Sequence, residues 1–120
     1  KDINMEYRVI KQHTSEFLNP MVISKGERLT VGEKSDDNEA WKGWYFCETQ
    51  DQIKGWVPMQ IIDWLNDHEG EARESYSAKE MDVNVGEVLT RTKELNGWIW
   101  CQHTDSKEEG WVPAENLVQD

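Results

Sequence analysis

Short segments in which apolar and polar residues alternate run through the chain, separated by polar turns. β-branched and aromatic residues are frequent in these segments, which is typical of β-strands. The segment after Pro58 is too short for an α-helix, so we expect a single 3₁₀ turn there. Five short strands in about 50 residues, joined by polar turns, predict an all-β chain built from small barrels. The predicted strands of the first half lie at residues 6–13, 21–23, 29–31, 44–49 and 56–57. Those of the second half are a first strand directly before Tyr76 and strands at residues 81–83, 88–90, 98–104, 111–112 and 117–118.

An internal repeat organises these segments. The tetrapeptide Gly-Trp-Val-Pro occurs at residues 55–58 and again at residues 110–113. Each copy follows a tryptophan-containing segment, at residues 43–47 and 97–101, and a Gly-Glu pair that opens a predicted strand lies further upstream in each half. Because the three blocks recur in the same order, we interpret the chain as two copies of one structural unit.

The repeat predicts two domains within the 120 residues. We expect them at residues 1–65 and 72–120, joined by a linker at residues 66–71 that is polar, contains glycine and lacks apolar periodicity. Units of about 50–65 residues bury only about 60% of the surface that their unfolded chains expose. Each unit can therefore form one compact core but has little room for a deep catalytic cavity.

Composition narrows the classes of partner. Charged residues make up 31% of the chain and the formal net charge is -11, which disfavours nucleic acid and anionic membranes as partners. A basic or neutral protein or peptide fits this charge better. The seven tryptophans supply the aromatic surface that small binding modules use. No apolar run approaches the roughly 20 residues of a membrane-spanning helix, and no signal peptide is visible, so a cytoplasmic location is expected.

The sequence contains no pattern that predicts catalysis or a cofactor. Cys47 and Cys101 occupy equivalent positions of the two repeats, and we expect buried free thiols rather than a disulfide. His13, His68 and His103 do not have metal-ligand spacing. Nucleophile motifs and phosphate-binding glycine loops are also lacking, so we expect neither an enzyme nor a bound metal.

The order of the blocks resembles the Src homology 3 (SH3) domain, twice in tandem and in a divergent form. The family pattern is Glu-Leu-Ser-Phe-x-x-Gly-Asp/Glu, then Trp-Trp, then Gly-x-x-Pro-x-x-Tyr-Val. The second unit matches it with residues 80–87, Trp98 and residues 110–113. The first unit matches it with Met21, Ile23, Gly26, Glu27, Trp44 and residues 55–58. Each block alone is a weak signal, but three blocks in order, twice, imply two five-stranded SH3-like barrels.

The resemblance also implies which residues form each core. Arg91 departs from it, because the first unit has Val31 at that place; a buried aliphatic stem or a β-bulge would accommodate the arginine. Trp56 and Trp111 are expected on the strand surface. The implied core residues are Met21, Ile23, Leu29, Val31, Cys47, Val57 and Ile62 in the first unit and Met81, Val83, Leu89, Cys101, Val112 and Leu117 in the second.

Members of the SH3 family bind proline-rich peptides, which lie as a polyproline helix across aromatic ridges. The residues that match the ridge are Trp44 and Pro58 in the first unit and Trp98 and Pro113 in the second. The two tryptophans contact a ligand in one interpretation. In the other, they cover the barrel end or pack between the two domains.

The aromatic wall of each implied groove is incomplete. Ile61 and Asn116 stand where the family has a tyrosine after the proline. In the first strand, Lys11 and His13 stand at two further tyrosine positions, so His13 is expected in the groove of the first unit. Tyr76 is expected in the groove of the second unit.

Two further tryptophans and a set of acidic residues flank the implied grooves. Trp41 would extend the first groove or lie at a domain interface, and Trp100 is expected to face the same side as Trp98. The acidic residues either select a basic residue of a ligand or form a solvated face. They are Asp36, Asp37 and Glu39 in the first unit and Glu80 and Asp82 in the second.

These observations predict a non-catalytic interaction module that binds proline-rich or basic peptide segments. Two alternatives remain. SH3-like domains also occur as cell-wall or glycan-binding domains, and a structural tandem could mask its own grooves. The sequence does not indicate an oligomeric state.

Overall fold

A computed structural model describes residues 5–15, 20–35 and 43–120. This part of the chain is all-β, as predicted, and contains no α-helix. Two 3₁₀ turns occur, Met59–Ile61 and Ala114–Asn116, and each follows the proline of a Gly-Trp-Val-Pro block. The turn expected after Pro58 is therefore confirmed.

The strands pair antiparallel in two five-stranded sheets, with the orders β5-β4-β3-β7-β6 and β11-β10-β9-β1-β12, and in a two-stranded ribbon of β2 and β8. The two sheets have the arrangement of SH3-like barrels, which confirms the predicted fold class. The strands are β1 (Glu6–Val9), β2 (Val22–Ile23), β3 (Arg28–Lys34), β4 (Trp44–Thr49), β5 (Lys54–Pro58), β6 (Ile62–Trp64), β7 (Glu69–Ala72), β8 (Tyr76–Ser77), β9 (Val88–Leu95), β10 (Trp98–His103), β11 (Glu109–Pro113) and β12 (Leu117–Gln119).

The chain divides into two compact units, of which one is continuous in sequence and the other is not. The continuous unit is Asn19–Ala78, and the discontinuous unit combines Lys1–Leu18 with Lys79–Asp120. These boundaries differ from the expected domains at residues 1–65 and 72–120. Strand β1 pairs with β9 and β12 of the second repeat, whereas β7, which overlaps the expected linker at residues 66–71, pairs with β3 and β6 of the first repeat.

Strands β1 and β7 occupy equivalent places in the two units. Tyr7 is opposite Leu89 in one sheet, and Gly70 is opposite Leu29 in the other. The carbonyl of Val9 accepts a hydrogen bond from the amide of Gly86 (2.8 Å), and the carbonyl of Ala72 accepts the matching bond from Gly26 (2.7 Å). The continuous unit is thus circularly permuted relative to the discontinuous unit, because the strand equivalent to β1, β7, follows the other four strands of its sheet along the chain.

Packing at Gly70 explains why β7 fills this place in the continuous unit. A Cβ atom on Gly70 would lie 2.8 Å from Cγ2 of Ile62 and 2.9 Å from the carbonyl oxygen of Asp63. Such distances leave no space for a side chain, so glycine is required there. The residue of β1 at the equivalent place is Tyr7, which this slot does not accommodate.

Tyr7 instead lies beside Arg91 of the discontinuous unit. The guanidinium Nη1 donates a hydrogen bond to the Tyr7 hydroxyl (3.1 Å), and the guanidinium carbon lies 5.9 Å from the ring centroid. The β9–β10 pairing shifts register between Trp100 and Cys101, the partner of Arg91. A bulge, one of the two accommodations considered for Arg91, is therefore present, but the β3–β4 pairing also shifts register after Val31. The bulge is thus common to both units, and what distinguishes Arg91 is its contact with Tyr7.

Charged residues favour the same assignment of strands. Arg8 of β1 forms an ion pair with Asp120 (2.8 Å), whereas Arg28 of β3 faces the acidic strand β7 and lies 3.8 Å from Glu69. With β1 in the place of β7, Arg8 would stand opposite Arg28, because Glu71 holds that register position. Exposed pairs contribute only about 0–1 kcal/mol each, so they reinforce the steric selection at Gly70 without replacing it.

Each unit has its own apolar core, and every core residue implied by the resemblance is buried. Both thiols lie in these cores, and burial raises the pKa of Cys47 and of Cys101 to about 12. The expectation of buried free thiols is confirmed. The core of the discontinuous unit consists of Val9, Met81, Val83, Leu89, Ile99, Cys101, Val112 and Leu117.

The permuted topology predicts which fragments fold. A fragment of residues 19–78 contains all five strands of its sheet. A fragment of residues 1–65 lacks β7, which lies between β3 and β6, so its core stays open on one side. We expect cooperative urea unfolding, followed by tryptophan fluorescence, for the first fragment only. A cooperative transition for residues 1–65 and none for residues 19–78 would contradict the observed pairing.

Burial of the thiols predicts slow modification. At pH 8 a thiol with a pKa of about 12 is almost entirely protonated, and only the thiolate reacts. We expect an aromatic disulfide reagent to modify Cys47 and Cys101 only after urea unfolds the chain, when both react. Rapid reaction of either thiol in the native protein would show that its core is open.

Candidate functional site

A cluster of half-buried aromatic and charged side chains lies in the discontinuous unit. The ring of His13 stands edge-on to the indole of Trp98, with centroids 5.5 Å apart and an angle of 78° between the planes. Nε2 of His13 lies 2.9 Å from Oε1 of Glu80, within hydrogen-bond distance. We call His13, Glu80, Trp98 and Pro113 the His13–Trp98 cluster.

The strands fix the members of this cluster. Trp98 begins β10 and stands opposite Pro113 of β11 in the ladder. Residues 10–15 follow β1, and we call them the arm. The amide and the carbonyl of His13 in the arm form two hydrogen bonds with Val83, of 3.1 Å and 2.9 Å. These bonds hold the arm along the segment that contains Glu80.

Asp82 holds the next residue of the arm. Its Oδ1 accepts a hydrogen bond from the backbone amide of Ser15 (2.6 Å). Glu80 and Asp82, expected either to select a basic residue of a ligand or to form a solvated face, are thus both in contact with the arm.

Asn116 forms the base of the arm. It is only 3% exposed, and its side-chain amide donates hydrogen bonds to the carbonyls of Lys11 (3.1 Å) and Gln12 (3.2 Å). The sequence showed Asn116 as a missing tyrosine of the groove. The structure shows instead that it ties down the backbone directly before His13, a role that the spacing of the repeat does not reveal.

The equivalent residues of the continuous unit are buried. Trp44 stands opposite Pro58, as Trp98 stands opposite Pro113, but Trp44 is 5% exposed and Pro58 is fully buried. Tyr76 is also 5% exposed, and its hydroxyl donates to the carbonyl of Trp56 (3.3 Å). Residue 20, which precedes Met21 as Glu80 precedes Met81, is a proline. Among the residues that the structure describes, this unit therefore has proline in place of the carboxylate, and its equivalent tryptophan is buried.

The strand pairing also changes which residues share a site. His13 was expected beside Trp44 and Tyr76 beside Trp98, but the structure places His13 with Trp98 and puts Tyr76 in the same unit as Trp44. The physical reason is the pairing of the two preceding strands. His13 follows β1, which joins the sheet of Trp98, and Tyr76 follows β7, which joins the sheet of Trp44. Trp41, Asp36, Asp37 and Glu39 lie outside the described residues.

A second aromatic feature recurs on the β4–β5 and β10–β11 ladders. Trp100 packs on Trp111, and Phe46 packs on Trp56, both with ring centroids 5.2 Å apart. Trp100 also donates its indole N–H to Glu109. We therefore count Trp100 with the Trp100–Trp111 pair and not with the His13–Trp98 cluster. Trp111, expected on the surface, is only 3% exposed. Such cross-strand pairs stabilise a ladder, and we assign them that role.

In residues 5–15, 20–35 and 43–120, no three His, Cys, Asp or Glu side chains are grouped so that they could hold a metal ion. Within the same residues, no helix has the length and apolar character needed to cross a membrane.

Comparison with known families gives one match. Residues 7–63 match the model of the variant SH3 domain. The match runs from β1 into β6 and therefore follows the chain order, although β1 and β6 belong to different units. No curated protein and no solved structure matches the chain.

The contacts of Asn116 predict a measurable loss of stability. Asn116→Ala removes both hydrogen bonds to the arm and leaves two carbonyls without their donor, which costs about 1–3 kcal/mol. We expect this decrease in the free energy of unfolding from urea titrations. Glu115→Ala, at the exposed neighbouring position, is the matched control and should change it by less than about 0.5 kcal/mol. Equal stability of the two variants would contradict the role assigned to Asn116.

Proposed function

Because residues 7–63 match the model of the variant SH3 domain, we propose that the chain is an interaction module whose peptide-binding surface is the His13–Trp98 cluster of the discontinuous unit. Domains of this type are generally non-catalytic and bind proteins or peptides. The ligand that we propose is an extended peptide with proline residues and one basic anchor residue.

The contrast between the two units carries this proposal. Trp98 and Pro113 are partly accessible, whereas the equivalent Trp44 and Pro58 are buried. A peptide can bind only where aromatic surface is reachable. The proposal therefore assigns peptide binding to the discontinuous unit and not to the surface around Trp44 and Pro58 in the continuous unit.

The chemistry of the cluster suits a polyproline-type peptide. Such a peptide is already extended before binding, so little conformational entropy is lost when it packs against flat aromatic surface. Trp98 and the ring of His13 supply this surface at right angles to each other, and Pro113 continues it on the neighbouring strand. The indole is the largest of these groups and is the expected anchor.

The negative charge around the cluster favours a basic anchor residue in the ligand. Glu80 and Asp82 lie at the edge of the cluster, and the whole chain has a formal net charge of -11. A Lys or Arg of the peptide would find two nearby carboxylates, each with a second oxygen atom available for a charge-assisted hydrogen bond. The electrostatic part of binding should weaken as salt is added.

We expect Trp98→Ala to weaken binding of a proline-rich peptide with one arginine by at least about tenfold, since truncating an aromatic anchor commonly costs 2 kcal/mol or more. Isothermal titration calorimetry measures the affinity, and the far-ultraviolet spectrum checks that the variant is folded. The matched control is Trp64→Ala, which removes an indole that is 46% exposed in the continuous unit. It should retain wild-type affinity.

Variation of the peptide tests the anchor residue in the same assay. Replacing its arginine by glutamine should lower the affinity for the wild-type chain more than for Glu80→Gln, which removes the charge of one of the two carboxylates and leaves Asp82. Equal loss of binding in Trp98→Ala and Trp64→Ala, or no binding by the wild type to either peptide, would overturn the proposed site.

A further inference from the structure

The two cross-strand aromatic pairs differ in the residue that accompanies them. In both pairs, Trp100–Trp111 and Phe46–Trp56, the ring centroids are 5.2 Å apart. In the first pair, Nζ of Lys93 lies 5.8 Å from the ring centroid of Trp111. Lys93 is on β9 and stands opposite Trp100 of β10, the strand that separates β9 from β11. Its aliphatic stem therefore crosses Trp100 to bring the ammonium to Trp111, which is a cation–π contact.

The residue equivalent to Lys93 in the continuous unit is Glu33. Positions 31 and 91 stand opposite the two cysteines, which are the fourth residues of β4 and β10. Positions 34 and 94 stand opposite the second residues of the same two strands. Both registers therefore place position 33 where the other unit has position 93. An exposed carboxylate thus replaces the ammonium that lies over the Trp100–Trp111 pair.

A hollow of about 170 Å³ opens beside Phe46, on the face of β3 and β4 that is turned away from the core. Gly32 leaves this space because it has no side chain, whereas the discontinuous unit has Thr92 at this position. Even a Cβ atom on Gly32 would lie only 3.2 Å from the carbonyl oxygen of Phe46. The hollow therefore adjoins the ring equivalent to Trp100, which the stem of Lys93 crosses. It is lined by Thr30, Gly32, Phe46, Cys47, Glu48 and Lys54.

The charges at this hollow favour a cation. Glu48 lines it where the discontinuous unit has the neutral Gln102, and Glu33 follows directly after Gly32. Lys54 on β5 also lines it and stands opposite Glu48 in the ladder. The two carboxylates outnumber this one ammonium, so the local charge is negative, as is the formal net charge of the chain, -11.

We propose that the face formed by Gly32, Phe46, Glu48 and Trp56 is a second interaction surface, which binds a lysine side chain of a partner protein. We call it the Phe46–Trp56 surface. The stem of the partner's lysine lies in the hollow against Phe46, and its ammonium lies over Trp56. The bound lysine thus takes the place that Lys93 of the chain itself takes in the other unit.

Both rings of this surface can be reached from solvent. Phe46 is 37% exposed and Trp56 is half-buried, whereas Trp111 of the other pair is 3% exposed. The stem of a lysine buries apolar surface against a ring while its charged end stays at the surface. There the carboxylate of Glu48 accepts a charge-assisted hydrogen bond. The Phe46–Trp56 surface shares no residue with the His13–Trp98 cluster, so this inference does not rest on the proposed function.

Nuclear magnetic resonance titration tests the surface, because it detects weak contacts residue by residue. The probe is the end-blocked peptide Gly-Ser-Lys-Ser-Gly, added to the full isotope-labelled chain. We expect saturable shifts of the amides of Gly32 and Phe46 and of the indole N–H of Trp56. The amide of Trp100 should not shift, since Lys93 already lies at the equivalent place.

A second peptide with norleucine in place of lysine keeps the aliphatic stem and lacks the ammonium. Its affinity for the Phe46–Trp56 surface should be at least about fivefold lower. Equal responses to the two peptides, including none to either, would overturn the proposed recognition of a cation.

The variant Glu33→Lys introduces the residue that the other unit has at this place. Its lysine should occupy the surface from within the chain and lower the affinity for the lysine peptide at least about fivefold. The matched control is Glu74→Lys, the same change of charge at an exposed glutamate of the same unit that does not line the hollow. It should bind within twofold of the wild type. Equal affinity of the two variants would overturn the proposed site, and the amide spectrum of each variant shows whether it is folded.

Discussion

The close packing around Gly70 is the constraint on which the architecture depends. The space next to Cγ2 of Ile62 and the carbonyl oxygen of Asp63 accommodates a strand only if that strand has glycine there. In β7 this residue is Gly70. Strand β1 has tyrosine at the equivalent place, and its hydroxyl accepts a hydrogen bond from the guanidinium of Arg91 on β9. One steric exclusion and one polar contact therefore assign two strands to two sheets, and this assignment determines which side chains meet in the candidate site.

Much of the fold was predictable because it depends on local chemistry. The strands, the 3₁₀ turn after Pro58 and the buried positions of Cys47 and Cys101 follow from alternation, short segment length and equivalent positions in the repeat. The pairing of β1 and β7 was not predictable in this way. Strands β1 and β7 are equivalent and can form the same pattern of hydrogen bonds with either sheet. Which strand joins which sheet therefore depends on the space around Gly70.

The candidate site was likewise predictable only in part. The pairing of Trp98 with Pro113 follows from the repeat, as does that of Trp44 with Pro58. The sequence did not show that one pair is accessible and the other buried, since burial depends on what packs over each tryptophan. It also assigned His13 to the wrong partner, because chain order does not identify the sheet that a strand joins. Arg91 was the available signal, a charged residue at a core position that required a partner.

The pairing of β1 can be measured directly by nuclear Overhauser effects between backbone protons of the intact chain. The structure predicts cross-strand effects from Tyr7 to Leu89 and Gln119, and an effect between the rings of His13 and Trp98. A chain of two consecutive domains would instead show effects from Tyr7 to Leu29 and Trp64. Observation of the second set in place of the first would contradict both the permuted fold and the site that it builds.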